Sequence, residues 1–420
     1  MMIYMKKTQI TIALSLAFTC LAGVNHAQAL DLVGAFGLAQ QNDPKFQSAK
    51  SQQTVTTSQA LSDRASYLPG YTFSRQQLPT LNATNTTQAI SQPIVNLQLA
   101  AQVAQGGPRS ALAKSTFDAS TQDLATRIVN SVNQIVLANE TIKANQSQIT
   151  ALDFQAQGAK RKYELGQGTV TDMLDVQVKF EQAKANDLTL HANLKAAQDQ
   201  FYAITGEYPD KMDFILPSKH EKFAVNTLEA ILEKVEKENP NILSAKAQET
   251  IAKYDVVKSS GAWAPTLSYT WQKTLYNSTT SLNNGLTLSI PIDANNYINT
   301  YGAMANAQKS SSDRLATETQ AKFEAQRLYA LIEAAQESIK IKWKASDIAR
   351  QSVTANQKSY EAGVKSTTDV LIAISTLFQT RVDYVQSVTQ QGVNLLNLLL
   401  VSAEEPENAV TQTQAFLFRK

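Results

Sequence analysis

Leu267, Tyr269 and Trp271 alternate with Ser268, Thr270 and Gln272, and Leu286, Leu288, Ile290 and Ile292 take up the same every-second-residue spacing further on. Successive side chains of a strand point to opposite faces, so each stretch predicts a β-strand with one apolar face. Tyr71 and Phe73 alternate with Thr72 and Ser74 in the same way, whereas the stretch from Thr86 to Val95 carries only a faint pattern. Pro69 and Pro265 stand just before the two strand pairs. A preceding helix has to give way there, because proline cannot continue it.

A different period governs the long stretch after each pair. From Gln98 to Glu164 the one proline is Pro108, and isoleucine returns every seventh residue as Ile128, Ile135, Ile142 and Ile149. Ala325, Ile332, Ile339 and Ser346 repeat the spacing in phase. A heptad marks a coiled-coil seam, and a helix of roughly 67 residues would reach about 100 Å. That is too long for one compact domain. Gly166, Gly168 and Gly363 interrupt the pattern where the helix must reverse, which predicts two long helical hairpins. The seam alone leaves an ordinary solvated coiled coil open.

The hairpins and strand pairs belong to an internal duplication with a period of about 196 residues. Asn42-Asp43-Pro44, with Phe46 and Ser48-Ala49-Lys50 after it, is answered by Glu238-Asn239-Pro240, with Ile242 and Ser244-Ala245-Lys246. Tyr67-Leu68-Pro69 matches Trp263-Ala264-Pro265, and Gln92-Pro93-Ile94 matches Ile290-Pro291-Ile292. Tyr163, Gly166, Asp172 and Leu174 match Tyr360, Gly363, Asp369 and Leu371. The expected division is a secretory signal over 1–29, a first repeat over 30–217, a second over 218–403, and a tail over 404–420 expected to be flexible.

The signal reading rests on Lys6 and Lys7, the apolar run from Ile10 to Val24, and the small-residue ending Ala27-Gln28-Ala29. A retained anchor is the alternative, but the apolar run is short for a spanning helix. The single cysteine, Cys20, lies inside this segment, so a mature chain beginning after Ala29 has no disulfide or thiolate chemistry. Phe18 speaks against lipidation of Cys20. Lysine and arginine total 38 against 36 acidic residues, which gives no basic footprint for nucleic acid. No later apolar run approaches the length of a spanning helix, so a membrane, if entered, is entered with strands.

Closure then decides the architecture. An unpaired backbone group in hydrocarbon costs several kcal/mol, and the smallest barrels use about eight strands. Four strands cannot close alone, so copies of the chain must pool them. The same axis would gather the long helices into a cylinder below the barrel.

Together these features resemble the TolC family of outer-membrane efflux and type I secretion channels, from Leu32 to Ala403. Leu32 to Pro44 looks like the family's first helix and Asn-Pro turn. Ile204-Thr205-Gly206-Glu207-Tyr208-Pro209 is similar to the close of its first repeat, and Tyr360 to Leu371 to the turn of its second hairpin. The resemblance implies an α+β membrane protein of a Gram-negative outer membrane. It implies a homotrimer with a 12-stranded β-barrel, four strands per chain, continuous with a periplasmic α-helical barrel. It implies a passive, gated exit duct with no cofactor. The implied partners are outer-membrane lipid, a periplasmic adaptor meeting the tips near residues 158–172 and 355–370, and an ABC or proton-driven inner-membrane transporter.

It further implies a gate. Carried over, Thr171 and Asp172 on the first hairpin would meet Tyr360 and Lys365 on the second, with Gln155 as a further member and Asp369 forming an acidic ring. Two positions depart from the family. Ile372 stands where a second ring aspartate is found, which weakens cation binding, and Lys365 replaces an arginine and loses its bidentate fork. The same residues have plainer readings: Thr171-Asp172 and Thr368-Asp369 follow glycine breaks and could cap the returning helices. Tyr360 and Tyr163 share a heptad position and could simply pack, and Lys365 could be a surface lysine.

No catalytic constellation is present. His191 and His220 lack metal-ligand spacing, and Gly106-Gly107-Pro108 lacks the lysine and hydroxyl of a phosphate loop. The reading from another class is a structural or adhesive periplasmic coiled-coil protein whose strands form a soluble cap.

Overall fold

The computed structural model describes residues 31–78, 83–209, 216, 226–277 and 279–418. The segment read as a signal, His220 and the expected junction between residues 217 and 218 lie outside the described residues. Helices α1 (Leu32–Asn42) and α2 (Pro44–Ala65) lead into β1 (Gly70–Leu78) and β2 (Ala83–Val95), then into α3 (Leu97–Glu164) and its return α4 (Val170–Thr205). The order recurs as α5 (Leu228–Glu238), α6 (Pro240–Ser260), β3 (Thr266–Tyr276), β4 (Thr279–Ser289), α7 (Ala294–Glu361) and α8 (Thr367–Val401), and α9 (Pro406–Leu417) closes the chain.

The repeated Pro motifs start helices by one device. Asp43 Oδ2 accepts from the Phe46 amide at 2.9 Å, and Asn239 Oδ1 accepts from the Asn241 and Ile242 amides at 3.0 and 3.3 Å. Pro44 and Pro240 come within the first turn, where an amide would have no intrahelical partner. Asp43 is also held by Arg127, whose Nη1 and Nη2 donate to its two oxygens at 3.1 and 2.6 Å.

Helices α3 and α7 are each 68 residues long, about 100 Å at the rise of an α-helix. Pro108 lies inside α3 without ending it. The heptad seam is buried where other helices cover it. Ile128 and Ile135 pack with Phe36, Phe201, Leu396 and Val410, and Ala325 and Ile332 pack with Ile231, Ile242 and Leu398. Toward the tips each long helix has fewer neighbours, and Ile142 and Ile149 are only half-buried. A smaller cluster of Leu152, Val353, Val370 and Ile374 ties the two hairpins together there.

The tail expected to be flexible is instead the ordered helix α9. Ala409, Val410, Thr413 and Leu417 fall on one helical face and are all buried, so its Gln- and Thr-rich composition hides an amphipathic stripe. Gln414 Oε1 accepts from the Val33 amide at 3.0 Å, which fastens α9 to α1. Gly392 of α8 lets α9 pack closely, since a Cβ there would come 2.7 Å from the end of the Leu417 side chain, which would have to shift.

The four strands form one antiparallel sheet in the order β1-β2-β3-β4. The central pair, β2 and β3, joins the two halves of the sequence, and β1 and β4 are left as edges. The alternation expected to run as strand to Ile292 stops being strand at Ser289. Pro291 has no amide to give a ladder, and α7 begins three residues later.

Candidate functional site

The register of the sheet sorts its side chains into two unlike faces. One row across the strands reads Tyr71, Ile90, Trp271 and Asn284, with Tyr269 and Leu286 paired in the row nearer the helices. The next row on the opposite face reads Thr72, Ala89, Gln272 and Asn283, and beyond it come Ser74, Thr87, Thr274 and Ser281. One face therefore carries nearly all the aromatic and aliphatic groups, and the other is built of hydroxyl and amide side chains. In the single chain Tyr71, Phe73, Leu282, Leu286 and Leu288 are all exposed. Strands β3 and β4 have 11 residues each, the length of a tilted membrane-spanning strand. Among the described residues no helix is long and apolar enough to cross a membrane.

The other end of the molecule is built by two hairpin turns. Gly166 and Gly363 adopt φ of 72° and 75°, a left-handed conformation that closes each long helix at little cost only for glycine. Gln167 N donates to Lys162 O at 2.8 Å, and Val364 N to Ser359 O at 2.9 Å. The returning helices then begin on Thr169 and Ser366. Thr169 Oγ1 accepts from the Asp172 amide at 3.0 Å and donates to Asp172 Oδ2 at 2.6 Å. Ser366 Oγ accepts from the Asp369 amide at 3.2 Å, while Asp369 Oδ2 accepts from the Ser366 amide at 3.0 Å, a reciprocal capping box.

Asp172 and Asp369 occupy the third position of their helices and support the caps, so the caps themselves are Thr169 and Ser366 rather than Thr171 and Thr368. The Ser366 amide, the Ser366 hydroxyl and the Lys365 ammonium, 3.6 Å away, hold the Asp369 carboxyl below the usual carboxylate range. Thr171 is exposed on the first turn of α4. Among the described residues, Thr171 and Asp172 make no bond to the second hairpin within one chain. Gln155 is 3 % exposed on the α3 face shared by Leu152 and Ala159, and its Nε2 has no hydrogen-bond partner.

The contact that does join the tips was not foreseen. Lys162 Nζ sits 3.6 Å from the centroid of the Tyr360 ring and 3.3 Å from the Tyr360 carbonyl oxygen. It combines a cation–π contact with a hydrogen bond. Lys162 lies one residue before Tyr163, the repeat partner of Tyr360, but nothing in the spacing announces a contact between hairpins. The Ser-x-x-Asp spacing of Ser366 and Asp369, by contrast, is a legible capping signature. Among the described residues no group of His, Cys, Asp or Glu side chains is clustered to hold a metal ion.

A family model for outer membrane efflux proteins matches residues 35–207 and again residues 231–403. The alkaline protease secretion protein AprF of Pseudomonas aeruginosa is 24% identical over 386 residues, which cover 84% of this chain and 80% of the relative. The outer membrane protein TolC of Escherichia coli is 22% identical over 408 residues, covering 89% and 82%. Among solved structures, the CmeC outer membrane channel of Campylobacter jejuni superposes with a TM-score of 0.75 at 13% identity, over 92% of this chain and 90% of that one. VceC of Vibrio cholerae superposes at 0.74 with 15% identity, over 89% and 96%. With the family model spanning both halves of the molecule, the chain belongs to the outer membrane efflux protein family: it is a TolC-type channel of the outer membrane with a large periplasmic part, a conduit rather than an enzyme.

Proposed function

We propose that three copies of this chain close a 12-stranded barrel and a twelve-helix periplasmic cylinder, giving a passive, gated duct for efflux or type I secretion. Residues 30–217 and 218–403 act as its two repeats. The observation that carries the reading is the sheet: four strands with one apolar and one polar face, and two unpaired edges. Apolar face to lipid and polar face to water requires a barrel, and a barrel requires partner strands on β1 and β4. Beside the β4 edge, Tyr297, Ile298, Tyr301 and Met304 of α7 are exposed on one helical face. A neighbouring copy would cover them.

At the tips, the gate forms when copies assemble. Thr171 and Asp172 then meet Tyr360 and Lys365 of a neighbouring hairpin, with Gln155 behind them, and the three Asp369 carboxylates ring the opening. Ile372, exposed one turn further along α8, makes the next ring apolar. Block by divalent cations is therefore weak. The same tips, near 158–172 and 355–370, dock a periplasmic adaptor that links the duct to an inner-membrane transporter, which supplies energy and chooses cargo.

Single-channel recording in lipid bilayers tests the gate. Replacing Asp172 and Lys365 together with alanine raises conductance; an unchanged conductance would leave these side chains only their local roles beside Thr169 and Asp369.

A further inference from the structure

Only two residues in the segments 66–96 and 261–292 carry a charge, Arg75 and Lys273, and neither segment contains an aspartate or glutamate. Both cations fall on the apolar face. Lys273 pairs with Gln88 on one side and Leu282 on the other, and Gln88 pairs with Phe73. Arg75 lies in the next row, opposite Thr86, which is itself opposite Leu275. Both are exposed, and among the described residues neither has an ion-pair partner.

A lone cation facing hydrocarbon is heavily penalised at mid-membrane and little at the interface, so the height of these rows matters. Helices α3 and α7 leave the sheet after Val95 and Ser289, which puts Arg75 and Lys273 toward the end away from the helical cylinder. The 11 residues of β4, Thr279–Ser289, run ~34 Å along the strand, or ~25 Å of height at a barrel tilt of about 40°. That equals the apolar band of an outer-membrane barrel. Arg75, in the row of Leu275 and Thr280, therefore stands at the outer rim of the band, and Lys273 one row below it, where its long side chain reaches up to the lipid headgroups.

We propose that Arg75 and Lys273 bind the phosphate groups of an anionic lipid headgroup in the outer leaflet, lipopolysaccharide by its chemistry. The observation that carries this is a pair of cations in adjacent rows near the outer ends of β1 and β3, without an ion-pair partner among the described residues, in segments that hold no carboxylate. Phe73, exposed in the same row as Lys273, offers the lipid an apolar contact beside the phosphate. The site rests on the barrel reading above, and three chains would repeat it around the rim.

Binding of lipid A to the purified full-length protein in detergent, monitored by native mass spectrometry, tests the assignment in wild type and in Arg75→Gln/Lys273→Gln. The double variant binds lipid A about thirtyfold more weakly, while phosphatidylcholine binds both alike and excess inorganic phosphate leaves lipid A in place. Equal lipid A binding by the two proteins overturns the proposal, as does displacement by inorganic phosphate, which would mark a simple anion site. Conductance in phosphatidylcholine bilayers separates the levels. If both proteins conduct and bind lipid A alike, only the lipid site fails; if neither conducts, the barrel beneath it fails.

Discussion

Two adjacent positions of β4 offer a matched test of which face of the sheet meets lipid. Leu286 is paired with Tyr269 on the apolar face, and Thr287 with Ser268 on the polar one. Leu286 is 65% exposed in the single chain, and it lies two rows below Leu282, close to the middle of the apolar band. A lysine on the lipid face near the midplane costs roughly 2–4 kcal/mol, so Leu286→Lys removes on the order of 6–12 kcal/mol from the proposed trimer. Thr287→Lys moves the same charge by one residue onto the polar face, which lines the lumen of the proposed barrel. It leaves stability within about 0.5 kcal/mol per chain and lowers the passage of cations. Urea unfolding in lipid vesicles reads the first effect and ion selectivity in bilayers the second. Equal loss of stability in the two variants, or a greater loss from Thr287→Lys, would refute the assignment of the faces.

The helical part sets further expectations. Burial would raise the Asp43 carboxyl, but the Arg127 hydrogen bonds and charge and the Phe46 amide outweigh it and hold the group below its ordinary value. A carboxyl depressed on folding lends stability that is present above its unfolded value, near 3.9, and is lost as pH falls through the lower folded value. Asp43→Asn therefore costs about 3 kcal/mol at neutral pH, because it leaves Arg127 half-paired, and it flattens the loss of stability below about pH 4. Melts monitored by circular dichroism across that range check both, and a neutral-pH stability equal to wild type would count against the pair. Val410→Asp places an unpaired charge in a fully buried position of α9 and should abolish most folded protein recovered from membranes. A truly loose tail would tolerate it. Lys162→Ala removes the link to Tyr360, worth about 1 kcal/mol. Amide exchange over 358–366 should quicken about fivefold, with the sheet unchanged.

The parts of this architecture that were legible from residues alone are those set by repetition. β3 could be read because Leu267, Tyr269 and Trp271 share one parity. The faint pattern of β2 has a physical cause: Thr86, Gln88 and Gln92 put polar groups on the apolar face beside Ile90. The long helices and their glycine reversals came from a heptad that keeps phase, whereas capping was expected at Thr368-Asp369 although the Ser-x-x-Asp spacing places the cap on Ser366. What stayed hidden depends on neighbours distant in sequence. The stripe of α9 is short and flanked by Gln and Thr, so only its packing on α1 and α8 distinguishes it from a loose end. Lys162 and Tyr360 meet because two hairpins lie side by side, a relation with no local signature. The gate residues share this difficulty, since their proposed partners belong to other copies.

The proposed duct depends on closure of one wall by identical subunits. Single-channel recording on the purified wild-type protein, added from detergent to a planar lipid bilayer, tests it most directly. Discrete, uniform current steps that grow with salt concentration are expected of such a water-filled pore. Bilayers that stay silent while the protein remains a water-soluble monomer would contradict it.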